Sequence, residues 1–211
     1  MVDKNITAKV SNQESSAEIF KRLISPKSYL KIWAYALFGI ILLSCQDQVV
    51  VKPAAFLRLD FPEPKYGHYA SDCPFEFDLN EFARPEAKER CALNLDYPFM
   101  GATVYLTYQG VNGDLTQLLS DAQKLTYDHT IKATEILEQP RVDPQHEVYG
   151  MYYQIDGPAA SHAQFYLTDS TRHFLTGALY FNTKPNFDSL YPAIHYVRKD
   201  IRRIMETLRW Q

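Results

Sequence analysis

The sequence has few glycines and few cysteines, and these shortages exclude several kinds of site. Its 211 residues include only 8 Gly and 3 Cys. No Gly-x-Gly-x-x-Gly run is present to hold a phosphate, and no Gly-x-Ser-x-Gly elbow is present to expose a serine nucleophile. The His-x₃-His, His-Glu-x-x-His and paired Cys-x-x-Cys spacings of common metal sites are also absent. We therefore expect neither a cofactor nor a bound metal.

The chain also lacks an excess of positive charge. It contains 22 Lys and Arg against 25 Asp and Glu, for a formal net charge of −3. Residues 1–44 hold six of the basic and three of the acidic residues, so the rest of the chain has 16 basic and 22 acidic side chains. Binding to nucleic acid needs a basic field that neutralises phosphates. Nucleic acid is therefore not an expected partner.

The apolar run that follows Lys31 is too short for an ordinary membrane span. The segment KIWAYALFGIILLSC, residues 31–45, has about a dozen apolar residues, whereas a spanning helix needs about 20 and the core of a secretory signal needs about 7 to 15. Four basic residues precede the run: Lys21, Arg22, Lys27 and Lys31. This pattern is typical of an export signal, although an uncleaved anchor or a buried helix are alternatives.

A small residue, Ser44, stands directly before Cys45. This arrangement predicts a bacterial lipoprotein signal peptide at residues 1–44, with a long polar region ahead of its apolar core, and acylation of Cys45. Acyl chains anchor a protein stably when more than one is present. We expect residues 45–54 to form a lipidated tether and residues 55–211 to form one globular domain outside the cytoplasm, since basic residues flank the apolar run on its cytoplasmic side.

Two further cysteines, Cys73 and Cys91, remain after Cys45. In an oxidising envelope compartment such a pair predicts a disulfide, with two separate thiols as the alternative. The bond would close a loop of about 18 residues, which the chain-entropy model values at roughly 3 kcal/mol. The enclosed segment, with two prolines and the charged run 86–90, has little core of its own.

Alternating apolar residues predict most of the strands. A period of two marks residues 75–78, 92–97, 103–108, 147–155, 163–168 and 173–182, and a first strand is expected around Leu57 and Leu59. Helical spacing marks residues 115–132, and a terminal helix with its cap at Asp188 or Ser189 and Pro192 in its first turn. The short connections favour antiparallel pairing. The fold class is therefore α+β, a single domain with a mainly antiparallel sheet packed with helices.

Candidate catalytic residues are sparse. The closest grouping is Ser161 and His162 with Asp169 and His173, but neighbouring strand residues point to opposite faces, and a triad is defined by geometry. A polar strand end and turn is the simpler interpretation. We expect the protein not to be an enzyme, with an envelope hydrolase as a minor alternative.

Two other patterns have both a functional and an ordinary interpretation. The terminal helix carries several cations that suit either lipid headgroups and acidic partners or an ordinary solvated helix face: Arg198, Lys199, Arg202, Arg203 and Arg209. Tyrosines along the later strands suit either core packing or a binding surface: Tyr149, Tyr152, Tyr153, Tyr166 and Tyr180.

Long stretches of the chain resemble the GldD family of gliding-motility lipoproteins. They are LRLDFPEPKY at 57–66, LDYPFMGATVYLTY at 95–108, LLSDAQKLTYDHTIKA at 118–133, VYGMYYQIDGPAASHAQFYLTDSTRHFLTGALYF at 148–181 and PNFDSLYPAIHYVRKDIRRIMETLRW at 185–210. The positions of Cys73 and Cys91 are similar too, and the lipid-bearing cysteine of the family corresponds to Cys45. The order of elements further resembles PsbP-like α-β-α sandwiches, an analogy of fold alone.

The resemblance implies an envelope lipoprotein required for gliding motility and associated with type IX secretion. We expect it to be membrane-anchored, to face the periplasm and to bind other motility or secretion proteins of the envelope. The turn carrying Gly157, Ser161 and His162 is the predicted partner contact. The alternative is a domain that binds a small ligand or lipid in a pocket between the sheet and the terminal helix.

Overall fold

The computed structural model describes residues 59–70, 72–128, 132–183 and 186–211, together with Trp33, Tyr35 and Leu37. The chain divides into two compact units, Met1–Pro53 and Ala54–Gln211. In the first unit the three described residues are helical and exposed. Among all described residues, none belongs to a helix with the length and apolar character that a membrane crossing requires.

The described part of the second unit contains ten strands, two α-helices and one 3₁₀ turn. In chain order they are β1 (Tyr66–Ala70), β2 (Phe75–Asn80), β3 (Arg84–Ala87), the 3₁₀ turn (Glu89–Cys91), β4 (Ala92–Tyr97), β5 (Ala102–Gly110), α1 (Leu115–Tyr127), β6 (Glu135–Asp143), β7 (Val148–Asp156), β8 (Ser161–Thr168), β9 (His173–Phe181), α2 (Phe187–Thr207) and β10 (Arg209–Trp210).

The strands form two sheets in which every pair is antiparallel. The larger sheet has seven strands in the order β3-β4-β5-β9-β8-β7-β6, and the smaller has three in the order β1-β2-β10. Short connections such as the turn between β8 and β9 suit antiparallel neighbours, because a parallel pair would need a long crossover. The larger sheet therefore grows by simple hairpins, except where α1 intervenes between β5 and β6.

One core joins both sheets and α2. Alternation places Leu93 and Leu95 of β4 inward, and on β5 Val104 and Leu106 point the same way. Phe75 and Phe77 of β2 and the apolar stripe of α2 belong to the same buried cluster. Only glycine fits at position 177 of β9 without a shift of its neighbours, because a Cβ there would lie 2.2 Å from the ring of Phe165. We call the side of the larger sheet that contacts α2 and the smaller sheet the inner face.

The opposite side of the larger sheet, the outer face, is contacted by α1. Thr126, the one buried residue of this helix, donates from Oγ1 to Oε1 of Gln164 at 2.8 Å. Gln164 lies on the outer face because it pairs with Ala178 of β9 and Tyr153 of β7, whose neighbours Leu179 and Tyr152 point inward. The helix therefore lies against the middle of the outer face.

Several predicted elements are confirmed and several are wrong. The antiparallel α+β class is confirmed, as are β2, β4, β5, β7, β8, β9 and both helices. Leu59 is not in a strand, α1 ends at Tyr127 rather than near residue 132, and Pro192 is the sixth residue of α2 rather than part of its first turn. The narrower prediction of a PsbP-like sandwich stays a prediction.

Four strands were not predicted: β1, β3, β6 and β10. Strands β3 and β6 are the two edges of the larger sheet, and each contains a proline, Pro85 and Pro140. Edge strands tolerate proline and charge because one side of their backbone is not paired within the sheet. The alternation that identifies central strands is accordingly weak at these two edges.

Candidate functional site

The cysteine pair joins the two sheets. Cys73 precedes β2 of the smaller sheet and Cys91 precedes β4 of the larger one, and the two form a disulfide with a Cα–Cα distance of 5.5 Å. The structure thus contains the predicted bond, across 18 residues of sequence. The predicted acylation site, Cys45, lies outside the described residues, and so does the predicted tether at 45–54.

The turn between β7 and β8, predicted as a partner contact, is held from inside the domain by Arg198. Its guanidinium donates to the carbonyl oxygens of Ile155 and His162, each at 2.8 Å, and forms an ion pair with Asp156 at 2.7 Å. Gly157 has a φ of +103°, a conformation that side chains other than glycine rarely adopt. Arg198 therefore fixes both ends of this turn, and glycine allows the reversal between them.

Ser161 and His162 are buried in this arrangement, with 0 % and 1 % of their surface exposed. The hydroxyl of Ser161 donates to the carbonyl of Ala163 at 3.2 Å. In the turn itself, Gly157 is also buried, whereas Pro158 and Ala160 are exposed. Partner binding here stays a prediction, but a partner would meet Pro158 and Ala160 rather than the side chains that were predicted to contact it.

The four residues of the hydrolase hypothesis do not come together. Ser161 begins β8 and Asp169 follows its end, which separates them by roughly 25 Å. Asp169 accepts hydrogen bonds from the backbone N–H groups of Arg172 and His173, both at 2.8 Å. Burial alone would raise the pKa of Asp169, but these bonds outweigh it and lower the pKa to about 2. The carboxylate thus stabilises a turn, as the simpler interpretation predicted.

The ring of His173 is part of a packed cluster at the start of β9. It stacks on Trp210 with 5.1 Å between ring centroids, and its Nδ1 lies 2.9 Å from the hydroxyl of Tyr108. Burial lowers the pKa of His173. The histidine therefore anchors the last strand, β10, rather than pairing with a nucleophile.

Tyrosines line the outer face of the larger sheet. Strand register places the buried Tyr153 on that face together with four tyrosines that reach the solvent: Tyr105, Tyr149, Tyr166 and Tyr180. The rings of Tyr105 and Tyr180 meet edge to face at 5.8 Å, and Tyr166 stacks on Phe174 at 5.7 Å. Tyr105 keeps 42 % of its surface exposed and the other three are half-buried. We call these four residues the outer tyrosine face.

Helix α1 extends this surface because the sheet covers its apolar stripe only in part. Leu118 and Leu119 are half-buried, and Leu125 is 50 % exposed. Tyr127 at the end of the helix packs edge to face on Tyr153 and hydrogen-bonds Glu138 of β6. The apolar stripe of α1 thus stays partly exposed and adds aliphatic side chains to the outer face.

A buried carboxylate on α2 lies among polar groups of the smaller sheet. Asp200 is 1 % exposed and accepts hydrogen bonds from the Tyr66 hydroxyl and the Asn80 amide, both at 2.7 Å. The same amide reaches the Tyr196 hydroxyl at 3.0 Å. Burial raises the pKa of Asp200 even though these bonds favour its charged form. The cluster ties β1 and β2 to α2.

A cavity of about 420 Å³ lies beside this cluster, between residues 59–64 and α2. Phe61 packs on the ring of Tyr196 at 5.5 Å, and Lys199 is one of the lining residues. Every residue that lines it belongs to these two segments. It is therefore not the pocket between sheet and terminal helix that the ligand-binding alternative predicts.

The solvated-face interpretation of α2 is wrong for Arg198, which is 4 % exposed, and Asp200 on the same helix is 1 % exposed. A signal for their burial was present in the spacing. Arg198 falls four residues after Ile194 and three before Ile201, and Asp200 falls three after Val197. These intervals put both charges inside the apolar stripe.

No group of three or more His, Cys, Asp or Glu side chains in the described ranges could hold a metal ion.

A comparison with protein-family models settles the family. The model described as "Gliding motility lipoprotein GldD" matches residues 46–210, which include both helices and all ten described strands. The chain belongs to the GldD family. It is accordingly a lipoprotein associated with gliding motility, anchored to a membrane of the cell envelope. The resemblance noted in the sequence is thus confirmed. The curated proteins contain no match to this sequence.

Proposed function

We propose that this GldD-family protein is a non-enzymatic accessory component of the gliding-motility and type IX secretion machinery. Acyl chains on Cys45 hold it to its membrane with the folded unit in the periplasm, and another protein of that machinery docks on the outer tyrosine face. Because the anchor confines the protein to the membrane surface, it raises the effective concentration of the two partners, and a modest contact area is enough for stable association.

The observation that supports this function is the composition of the outer face. Tyr105, Tyr149, Tyr166 and Tyr180 lie on the side of the larger sheet that the core does not use, and the exposed Leu125 of α1 lines a small cavity together with Tyr166. Tyrosine is enriched in protein interfaces because its ring supplies a large contact area with few rotatable bonds, while its hydroxyl keeps the free surface hydrated. The face therefore suits a protein partner.

The use of the buried polar groups favours an accessory role over catalysis. Asp169 accepts hydrogen bonds from backbone N–H groups. Arg198 donates to a backbone carbonyl and to Asp156, and Asp200 accepts from Tyr66 and Asn80. Each of these contacts stabilises the fold. A general acid or base would instead need an approach for substrate.

The test is crosslinking of the full-length lipoprotein in envelope membranes, followed by pull-down and mass spectrometry. We expect motility or secretion proteins to be recovered from the native protein and to be lost from Tyr105→Lys, since a charge in the middle of an aromatic contact typically weakens it by about tenfold or more. Phe99→Lys is the matched control, because Phe99 is also exposed, at 54 %, but lies in the turn between β4 and β5.

Two results would count against the proposal. One is recovery of the same proteins with Tyr105→Lys as with the native chain. The other is equal loss with Phe99→Lys, which would point to a general effect of added charge. Cys45→Ala serves as a separate control for anchoring, and we expect it to reduce recovery without changing the fold.

A further inference from the structure

The cavity of about 420 Å³ between residues 59–64 and α2 lies on the side of the helix that faces away from the core. Tyr191, His195 and Lys199 line it at intervals of four residues, which places them in one row along the helix. We call residues 59–64 together with this row the α2 surface. Because α2 packs on the inner face, the α2 surface and the outer tyrosine face lie on opposite sides of the domain.

Aromatic rings follow one another along the α2 surface. Tyr191 packs edge to face on Phe187 with 5.6 Å between ring centroids, and the ring of His195 lies 6.3 Å from that of Tyr191. Across the cavity, Phe61 is half-buried and Leu59 is 45 % exposed. Tyrosine is enriched where proteins meet lipid headgroups, because its ring is apolar and its hydroxyl stays hydrated. The side chains of this surface therefore suit the interface between a membrane and water.

The charges of the α2 surface have both signs. Among the described residues that line the cavity, Asp60 and Glu63 are acidic, Lys199 is basic, and all three are exposed. His195 adds no charge at neutral pH, because partial burial and then the neighbouring cations of α2 lower its pKa. Attraction to anionic lipids needs clusters of about 4 to 8 Lys and Arg. The charges here fit a zwitterionic headgroup better, since it carries an ammonium as well as a phosphate.

The lipid anchor joins the domain at this surface. Leu59 lines the cavity and follows Cys45 by 14 residues, so the chain between them spans at most about 50 Å. A domain confined to that distance meets the membrane at a high effective concentration. A weak affinity of the α2 surface for headgroups is therefore enough to orient the domain.

We propose that the α2 surface lies on the membrane that holds the protein, with its rings among zwitterionic phospholipid headgroups. The proposal rests on the anchor at Cys45 and does not require the protein partner of the outer tyrosine face. Amphipathic surfaces of this kind enter the boundary between headgroups and acyl chains to a depth of about 5 to 10 Å. The orientation turns the outer tyrosine face toward the periplasm, where a partner has access to it.

The test is tryptophan fluorescence of the full-length lipoprotein in vesicles of equal parts phosphatidylethanolamine and phosphatidylcholine. The vesicles are prepared with and without bromine on the acyl carbons nearest the headgroup. His195→Trp places a reporter at an exposed position of the α2 surface, and Tyr105→Trp is the matched reporter on the outer tyrosine face. Relative to the native protein, we expect bromine to lower the added fluorescence of His195→Trp by about twofold or more, since the reporter lies at the depth of the quencher. The added fluorescence of Tyr105→Trp should stay unchanged.

A second substitution tests whether the α2 surface itself makes the contact. Leu59→Glu in the His195→Trp background should lower the quenching to the level of Tyr105→Trp, because a carboxylate is costly to move toward the acyl chains. Leu137→Glu is the matched control, since Leu137 is 41 % exposed but lies on β6, and it should leave the quenching unchanged. Circular dichroism checks that each variant is folded.

Flotation of the protein with the vesicles separates failure of the anchor from failure of the surface. Protein that does not float would contradict the anchor and this inference together. Floated His195→Trp without quenching would overturn this inference alone and would assign the α2 surface to a protein. Equal quenching of the two reporters would overturn it too, as would unchanged quenching with Leu59→Glu. Quenching that needs added phosphatidylglycerol would contradict the zwitterionic headgroup.

Discussion

The inner and outer faces of the larger sheet are built from the same strands but differ in what covers them. On the inner face, α2 and the smaller sheet bury alternate residues such as Leu95, Leu106 and Leu179 to 1 % exposure or less. On the outer face, α1 has one buried residue, and Tyr105 next to Leu106 stays 42 % exposed. The inner face therefore carries most of the stability of the domain, while the outer face keeps more of its side-chain surface in contact with solvent.

The largest expected effect tests the inner face. Leu179→Ala should lower the free energy of unfolding by about 3 kcal/mol, within the range of roughly 2 to 5 kcal/mol for a leucine truncated in a packed core. Leu179 is 0 % exposed and belongs to the common core. Urea unfolding followed by circular dichroism gives the value. A loss below about 1 kcal/mol would show that the inner face is packed more loosely than the structure indicates.

The next prediction concerns the disulfide that joins the smaller sheet to the larger one. Replacing both Cys73 and Cys91 by alanine should cost about 3 kcal/mol, because the unfolded chain regains the freedom of a loop of about 18 residues. Thermal unfolding under oxidising conditions measures the loss. A reducing agent should destabilise the native protein and leave the double variant unchanged. Equal sensitivity of the two proteins to reduction would contradict the assigned role.

The third prediction concerns how the free energy of unfolding depends on pH through the buried carboxyl of Asp200. Because burial raises the pKa of Asp200 in the folded state, the folded protein binds this proton more tightly than the unfolded chain does. The contribution of Asp200 to stability is therefore fully present below its unfolded pKa and is lost as the pH rises through its folded pKa.

Asp200→Asn should remove this dependence. We expect the stability of the native protein relative to the variant to fall as the pH increases above about 4, by about 1.4 kcal/mol for each unit of pKa difference. Urea unfolding at a series of pH values measures it. A difference between the two proteins that does not change with pH would show that the carboxyl titrates normally.

The smallest expected effect on stability tests the outer face. Tyr105→Ala should change the free energy of unfolding by only about 0.5 kcal/mol, since exposed side chains contribute little to folding. The same substitution should abolish most of the crosslinking expected at the outer tyrosine face. A stability loss as large as that of Leu179→Ala would remove the distinction between the two faces.

The central strands and both helices could be predicted because each has one buried side. Alternation in β4 and β5 and helical spacing in α2 record that burial directly in the order of residues. The edge strands β3 and β6 could not be predicted in this way. They are largely exposed and contain Pro85 and Pro140, so their place in the sheet depends on pairing with a neighbour.

The candidate sites divide in the same way. The pairing of Cys73 with Cys91 was predictable, because few partners exist for each cysteine. The outer tyrosine face was not predictable, since the sequence shows tyrosines in β7, β8 and β9 without showing that Tyr152 faces inward while Tyr149 and Tyr166 face outward. A shift of one residue in register would exchange the two sets.

The sequence by itself determined the fold class, the family and the cysteine pair, because periodicity, long matching stretches and residue counts are properties of the chain order. Only the tertiary structure decided which charges are buried and which donors lack partners. Arg198 and Arg202 are four residues apart on one helix. Arg198 donates hydrogen bonds to backbone carbonyls of the turn, whereas Arg202 lines a cavity. The difference arises from the strands that lie opposite each side chain, which residues distant in sequence supply.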